Sequence, residues 1–190
     1  MSKIALTPNA SGTGTLTIAA PNTSTDRTLT LPDETGTVLS STSNVSVQAT
    51  QNIPAFQAKA ASQVISNNTW TKITFSTEVL DTDGWYDNST NYRFTPQIAG
   101  WYQINFLVQG YYASSGQWIG ALYKNGSALI KGPVINYTSS SEAGSSLACI
   151  VQFNGSTDYV EVYVQQSSGG NVNVDPADWS HFSGYLVRAT

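Results

Sequence analysis

Gly100-Trp101-Tyr102-Gln103-Ile104-Asn105-Phe106-Leu107-Val108-Gln109-Gly110 alternates apolar and polar side chains over the length of a full strand. Successive side chains of a strand point to opposite faces, so Tyr102, Ile104, Phe106 and Val108 share one face and Gln103, Asn105 and Gln109 the other. One face therefore belongs in a core and the other at a surface or interface. The flanking sequence repeats this logic. Ala55-Phe56-Gln57-Ala58, Trp70 to Phe75, Trp118 to Tyr123, Leu129 to Tyr137, Leu147 to Phe153, Tyr159 to Gln165 and Phe182 to Val187 each read as a strand. Asn125-Gly126 and Asn154-Gly155 are hairpin signals, and Asp81-Thr82-Asp83-Gly84 is a turn. No stretch sustains a period of 3.6. Many short strands separated by turns predict an all-β sandwich or jelly roll.

Working outward, all 21 aromatic residues (5 Trp, 10 Tyr, 6 Phe) of the 190-residue chain lie after position 50. Residues 54–190 are near the usual size of a single domain and carry enough aromatic surface for a core. Residues 1–40 hold only short Thr-Leu bursts, Thr15-Leu16-Thr17-Ile18 and Thr28-Leu29-Thr30-Leu31, broken by Pro21-Asn22 and Pro32-Asp33. So few apolar residues cannot form an independent core, and this segment is expected to need further copies of itself or a docking partner. Residues 41–53 are polar and read as a neck. The expected organisation is a β-rich stem over 1–40, a linker over 41–53 and a head over 54–190.

Composition excludes several functions. Charged residues make up 11% of the chain, against roughly 25% for an average soluble protein. The formal net charge is −4, and the eight Lys and Arg are scattered singly, so no basic stripe exists for nucleic acid. No run approaches the ~18 apolar residues of a membrane helix. Met1 to Pro8 lacks the apolar core of a signal peptide, which leads to the expectation of synthesis in a cytoplasm. The single cysteine, Cys149, sits in the apolar run Leu147-Ala148-Cys149-Ile150-Val151 and is expected to be a buried, inert thiol.

Candidate chemistry is thin. His181 is the only histidine, and no Gly-x-Ser-x-Gly elbow is present, so a nucleophilic triad is not expected. Asp81, Asp83 and Asp87 form one acidic group, and Asp175 and Asp178 another. Either could supply paired carboxylates for glycoside hydrolysis, or bind Ca²⁺, but solvated turn carboxylates are the simpler reading. No catalytic residue, metal ligand or cofactor is expected. Two loops rich in aromatic and amide residues suit binding instead. Tyr111, Tyr112, Gln117 and Trp118 come from the first, and Asn171, Asn173 and Trp179 from the second. Rings of this kind stack on sugar faces while amides reach hydroxyls, and the same chemistry serves protein recognition. The competing role for these aromatics is to fill an interface between copies of the chain.

Phe75, Asp81, Tyr86, Phe94, Gly100, Tyr102, Ile104 and Phe106, with the phrase Phe94-Thr95-Pro96 and the ending Ser180-His181-Phe182-Ser183-Gly184-Tyr185-Leu186, resemble the complement C1q-like domain, a relative of the tumour-necrosis-factor jelly roll. The likeness runs from about Ala55 to the C-terminus. It departs from the family pattern by one extra residue between Tyr86 and Phe94, and by Ile104 where Phe is usual. The resemblance implies a ten-stranded jelly roll that assembles as a homotrimer. The stem, from Thr15 to Thr23 and from Arg27 to Val38, resembles a segment that recurs in tail-fibre proteins of bacteriophages. Together the two imply a virion fibre or spike protein, made in the host cytoplasm. Its stem would dock on other virion proteins, and its trimeric head would bind a host-surface glycan or protein. A structural virion decoration or baseplate component without receptor contact is the alternative, and a polysaccharide depolymerase a lesser one. Neither nucleic-acid binding nor membrane insertion is implied.

Overall fold

The computed structural model describes residues 53–112, 114–138, 141–175 and 177–190, together with 11–15, 17, 22, 24–26 and 28. Contacts divide the chain into two units, Met1–Val47 and Gln48–Thr190. The stem strands expected at Thr15–Ile18 and Thr28–Leu31 are described only at Thr15, Thr17 and Thr28, and nearly all of the 41–53 neck lies outside the described residues.

Among its described residues the second unit has thirteen strand segments and one short 3-10 turn. They are β1 (Ala55–Lys59), β2 (Val64–Ile65), β3 (Thr71–Lys72), β4 (Thr77–Asp81), β5 (Tyr86–Asp87), β6 (Arg93–Phe94), β7 (Ala99–Tyr112), β8 (Gly116–Lys124), β9 (Ser127–Tyr137), β10 (Ser141–Asn154), β11 (Val160–Gln166), β12 (Val172–Val174) and β13 (His181–Ala189), with the turn at Ala177–Trp179. The fold is the all-β jelly roll expected from sequence. The count exceeds ten because β2, β3, β5 and β6 are two-residue pieces of ladders that loops interrupt.

Two antiparallel sheets form the sandwich. In the first, β10 pairs with β7 along its whole length, while β13 and β12 share the other edge of β7, and β1 and β4 continue beyond β13. In the second, β8 and β9 lie on one side of β11, and β6 and β3 share its other edge. Tyr102, Ile104, Phe106 and Val108 of β7 are all buried, as the alternation requires. Opposite them lie Val160, Val162 and Val164 of β11, with Trp118 and Leu122 of β8.

The residues that carried the family resemblance have packing roles. Phe56 stacks on Phe94 with ring centroids 4.2 Å apart and meets Phe182 edge-on at 4.8 Å. The buried Tyr86 donates its hydroxyl to the Phe75 carbonyl at 2.9 Å, and burial pushes that phenol far above its ordinary pKa. Asp81 accepts the amides of Asp83, Gly84 and Tyr86 at 3.3, 3.0 and 2.8 Å and so closes its turn.

Asn125 and Gly126, with φ of 53° and 78°, form the two-residue hairpin between β8 and β9 that the dipeptide predicts. Asn154-Gly155 behaves differently. It does not close a hairpin, because β10 belongs to the first sheet and β11 to the second. Asn154 Oδ1 accepts the amides of Ser156, Thr157 and Asp158, each at 3.0 Å, and this capped loop carries the chain from one sheet to the other. Cys149 is half-buried against the core, and burial raises its thiol pKa, which disfavours the reactive thiolate.

Trp118 is fully buried and donates its indole N–H to the Val108 carbonyl at 2.9 Å, tying the two sheets together. Trp118→Ala is expected to lower stability by about 3–5 kcal/mol, as for other buried large-to-Ala truncations, measured by equilibrium urea unfolding. A loss below about 1 kcal/mol would contradict this packing role.

Candidate functional site

The two loops singled out from sequence meet at one end of the sandwich. Ser114 donates its hydroxyl to the Ser168 carbonyl at 2.7 Å. Gln117 and Ser167 are joined twice: the Gln117 amide reaches Ser167 Oγ and the Ser167 amide reaches the Gln117 carbonyl, both at 3.1 Å. Beneath them the buried Gln166 organises the 167–170 turn. Its Nε2 donates to the carbonyls of Ile65 and Gly170 at 3.1 and 2.7 Å, and its Oε1 accepts the Ser168 amide at 2.7 Å. A buried amide with all these bonds made is a rigid anchor.

Of the predicted binding residues, Tyr111 and Asn173 are direct cross-strand partners on β7 and β12. Glu142 flanks Tyr111 on the other side and Val64 flanks Asn173, giving the exposed row Glu142, Tyr111, Asn173, Val64. Tyr111 is 54% exposed. Tyr112 ends β7 opposite Ser141. Asn171 is exposed just before β12. Trp179 is 58% exposed in the Ala177–Trp179 turn. That turn belongs to a bulge pinned where the Asp175 amide donates to the Gln109 carbonyl at 2.9 Å and the Gln109 amide donates to Ser180 Oγ at 3.1 Å. Gln117 lies apart on β8, with its Nε2 engaged by Asn136 Oδ1 at 3.0 Å.

Trp118 is a correction. Its place in a loop-flanking aromatic run suggested a surface ring, but β8 begins at Gly116, and the strand's alternation turns this residue into the core. It presents no ring to a ligand. The surface set is therefore Tyr111, Asn171, Asn173 and Trp179, with Gln117 at its margin.

Asp81, Asp87 and Asp178 are engaged by local partners. Asp87 accepts five hydrogen bonds from the 89–91 turn, which hold its pKa far below the usual carboxylate range. Asp178 pairs with Lys59 at 2.7 Å on the surface. Among the described residues no group of three or more His, Cys, Asp or Glu is placed to hold a metal ion. Asp175 differs from the others: burial, and the nearby charge of Glu142, raise its pKa.

Two surface hollows went unread in the sequence. One, of about 340 Å³, is lined by Trp85, Asp87, Asn91, Arg93, Thr95 and Gln97 among others. The second, of about 230 Å³, adjoins Lys124, which is ion-paired with Asp158 at 2.9 Å. Neither has a motif. Their residues come together only through the pairing of β5 with β6 and the packing of the 154–159 loop.

The family model of the C1q domain matches residues 55–187. The chain belongs to the C1q domain family. Solved structures give the same fold. The globular domain of zebrafish complement 1qA protein is 15% identical with a TM-score of 0.51, covering 72% of this chain and 99% of that one. Murine APRIL is 10% identical with a TM-score of 0.54, covering 71% and 99%. Eiger TNF from S. frugiperda is 9% identical with a TM-score of 0.51, covering 73% and 94%. No curated protein matches the chain. Domains of this family are generally binding modules rather than enzymes, and they commonly form homotrimers.

The raised pKa of Asp175 has a consequence for stability. A carboxyl whose folded pKa lies above its unfolded value destabilises the fold at neutral pH, and that penalty is relieved as pH falls through the raised pKa. Asp175→Asn is expected to raise the thermal midpoint at pH 7, with the gain shrinking toward pH 4. A lower midpoint at pH 7 would show that the charge is favourably held.

Proposed function

We propose that the chain is the trimeric, non-catalytic binding head of a bacteriophage fibre or spike, with its first 40 residues docking on other virion proteins. The observation that carries this reading is the outer face of the first sheet. Registers place Ile150, Gln103, Tyr185 and Ala55 in one row across β10, β7, β13 and β1. The next row is Ala148, Asn105, Ser183, Gln57 and Leu80. Neither row contains a charge. Ile150, Tyr185 and Leu80 are exposed, as are the nearby Trp101 and Val187.

Between them, Gln103 Nε2 donates to Asn105 Oδ1 at 2.9 Å, so these two amides partly satisfy each other. A central patch that is uncharged and carries exposed aromatic and aliphatic groups fits burial in a permanent assembly. It lies at the centre of the sheet, where three copies would bury it together. The row of Tyr111 and Asn173, with Trp179, then stands at one end of the assembly. Three such ends would add weak contacts to a host glycan or protein into firm attachment.

Light scattering after size exclusion is expected to give about 61 kDa for the intact protein, three times the 20.3 kDa chain. Tyr185→Arg, which puts charge into the uncharged face, is expected to return the protein to the monomer mass. Should Tyr185→Arg remain fully trimeric, the interface lies elsewhere. Separately, Tyr111→Ala combined with Trp179→Ala is expected to reduce adsorption of particles to cells while leaving the mass unchanged. Undiminished adsorption would favour a structural decoration over an attachment protein.

A further inference from the structure

The short β5–β6 ladder sets up an unusual arginine. Tyr86 and Phe94 face the core, so their neighbours Asp87 and Arg93, which are cross-strand partners, face outward. Opposite charges in that position ordinarily attract. Here they form no ion pair. Asp87 is already saturated: Oδ1 accepts from Ser89 N, Ser89 Oγ and Thr90 N, and Oδ2 accepts from Asn91 N and Nδ2, at 2.8–3.3 Å. Arg93 instead lies over the Tyr159 ring, with Cζ 4.2 Å from the centroid. A guanidinium over a ring is held by its face, which leaves its N–H edge open. Among the described residues no carboxylate pairs with it.

The arginine lines the 340 Å³ hollow, a size at the low end of the roughly 300–1,000 Å³ of small-molecule pockets. Asp87 also lines the hollow, with its oxygens taken up by its own turn, and Asn91, Thr95, Gln97 and Trp85 complete a pattern. Asn91 commits its Nδ2 to Asp87 at 2.8 Å, and Gln97 commits its Nε2 to the Thr95 carbonyl at 2.9 Å. Each amide therefore keeps its oxygen as an acceptor. Thr95 adds a hydroxyl, and Trp85 is a half-buried indole packed against the core.

We propose that this hollow is a subsite for an acidic saccharide unit, with Arg93 gripping the sugar carboxylate, Asn91 and Gln97 accepting its hydroxyls, and Trp85 contacting its ring. A fork of N–H donors matches a carboxylate in two parallel bonds. Amide oxygens need a ligand that donates, which hydroxyls do and a bare phosphate dianion does not. The site stands apart from Tyr111, Asn173 and Trp179. It does not depend on the chain being a fibre head or a trimer.

The test uses the intact ¹⁵N-labelled protein, titrated with glucuronate, glucose and inorganic phosphate at matched ionic strength. The reporter is the Trp85 indole N–H resonance, assigned by its loss in Trp85→Phe. Glucuronate is expected to shift it saturably with a Kd on the order of millimolar, and glucose about tenfold more weakly, the size of one charge-assisted contact. Gln97→Ala should weaken both sugars and keep their ratio. Arg93→Gln should abolish the preference for glucuronate. If that variant does not fold, Arg93→Lys decides, since it keeps the charge but loses the fork and should lose most of the preference. The proposal is overturned if neither sugar gives a saturable shift, if glucose matches glucuronate, if phosphate binds as well as glucuronate, or if Arg93→Lys leaves the preference intact.

Discussion

Phe106 occupies the space that the missing side chain of Gly120 leaves on the facing sheet. A Cβ at Gly120 would lie 2.6 Å from the Phe106 ring and 3.1 Å from Ser145 Oγ. This contact sets the separation of the two sheets at the middle of the sandwich. At the neighbouring edge Gly132 of β9 and Ser145 of β10 come equally close, with a Gly132 Cβ 2.8 Å from Ser145 Oγ. Small residues on both sides let an edge of one sheet rest on an edge of the other, covering unpaired backbone that would otherwise invite pairing with other chains. The inward stripe of β7 is the counterpart. Paired on both edges and buried on its inner face, β7 fixes the register of β10, β12 and β13 at once. A one-residue slip in any of them would turn its apolar set outward.

With few charges to deploy, the head uses side-chain amides and carboxylates as turn anchors. Asp81, Asp87 and Asn154 each gather several backbone amides, and Gln63 bridges the 61–74 region through Lys72 O and Thr74 N at 2.7 and 2.9 Å. These bonds satisfy loop backbone that no ladder reaches. Asp81 and Asp87, whose oxygens already accept several local donors, have little left for a metal or a substrate. The exception in charge is the Lys72–Glu161 pair at 3.0 Å, in which the carboxylate is buried. Lys72 also donates to the Asn91 carbonyl at 3.0 Å, so the pair braces the turn that frames the Arg93 hollow.

The long strands were legible because they alternate. β7, β8, β9, β10 and β13 all contain the segments read from sequence, β11 starts one residue after the expected Tyr159, and β7 runs to Tyr112 beyond the expected Gly110. The strands that escaped notice are short or lack an inward face. β4, Thr-Glu-Val-Leu-Asp, is exposed at four of its five positions, so no periodicity marks it. β5, β6 and β12 have two or three residues each. Of the site, two binding-type loops were readable from composition, but not that they meet, and Trp118 was misplaced, because a one-residue change in parity decides between core and surface. The Arg93 hollow could not be read at all. It depends on Asp87 being saturated by its own turn, a fact of three-dimensional hydrogen bonding that no spacing encodes.

The two outer faces of the sandwich differ in their chemistry. The middle rows of the first sheet are uncharged and leave Ile150 and Tyr185 exposed. The second sheet instead carries a mixed field of rings and cations. Tyr123 stacks on Tyr163 at 4.1 Å, Trp70 lies 6.2 Å from Tyr123, and Lys131 sits 5.3 Å over Trp70. These side chains shelter Ala121, which is fully buried although it pairs between Tyr163 and Lys131 on the outer face. Cations held on ring faces are only partly desolvated and keep their charge toward water. A surface of that kind tolerates solvent and polar ligands, whereas the uncharged central rows of the first sheet gain most by leaving water. Assembly through the first sheet would therefore point the second outward, with Arg93 at its margin.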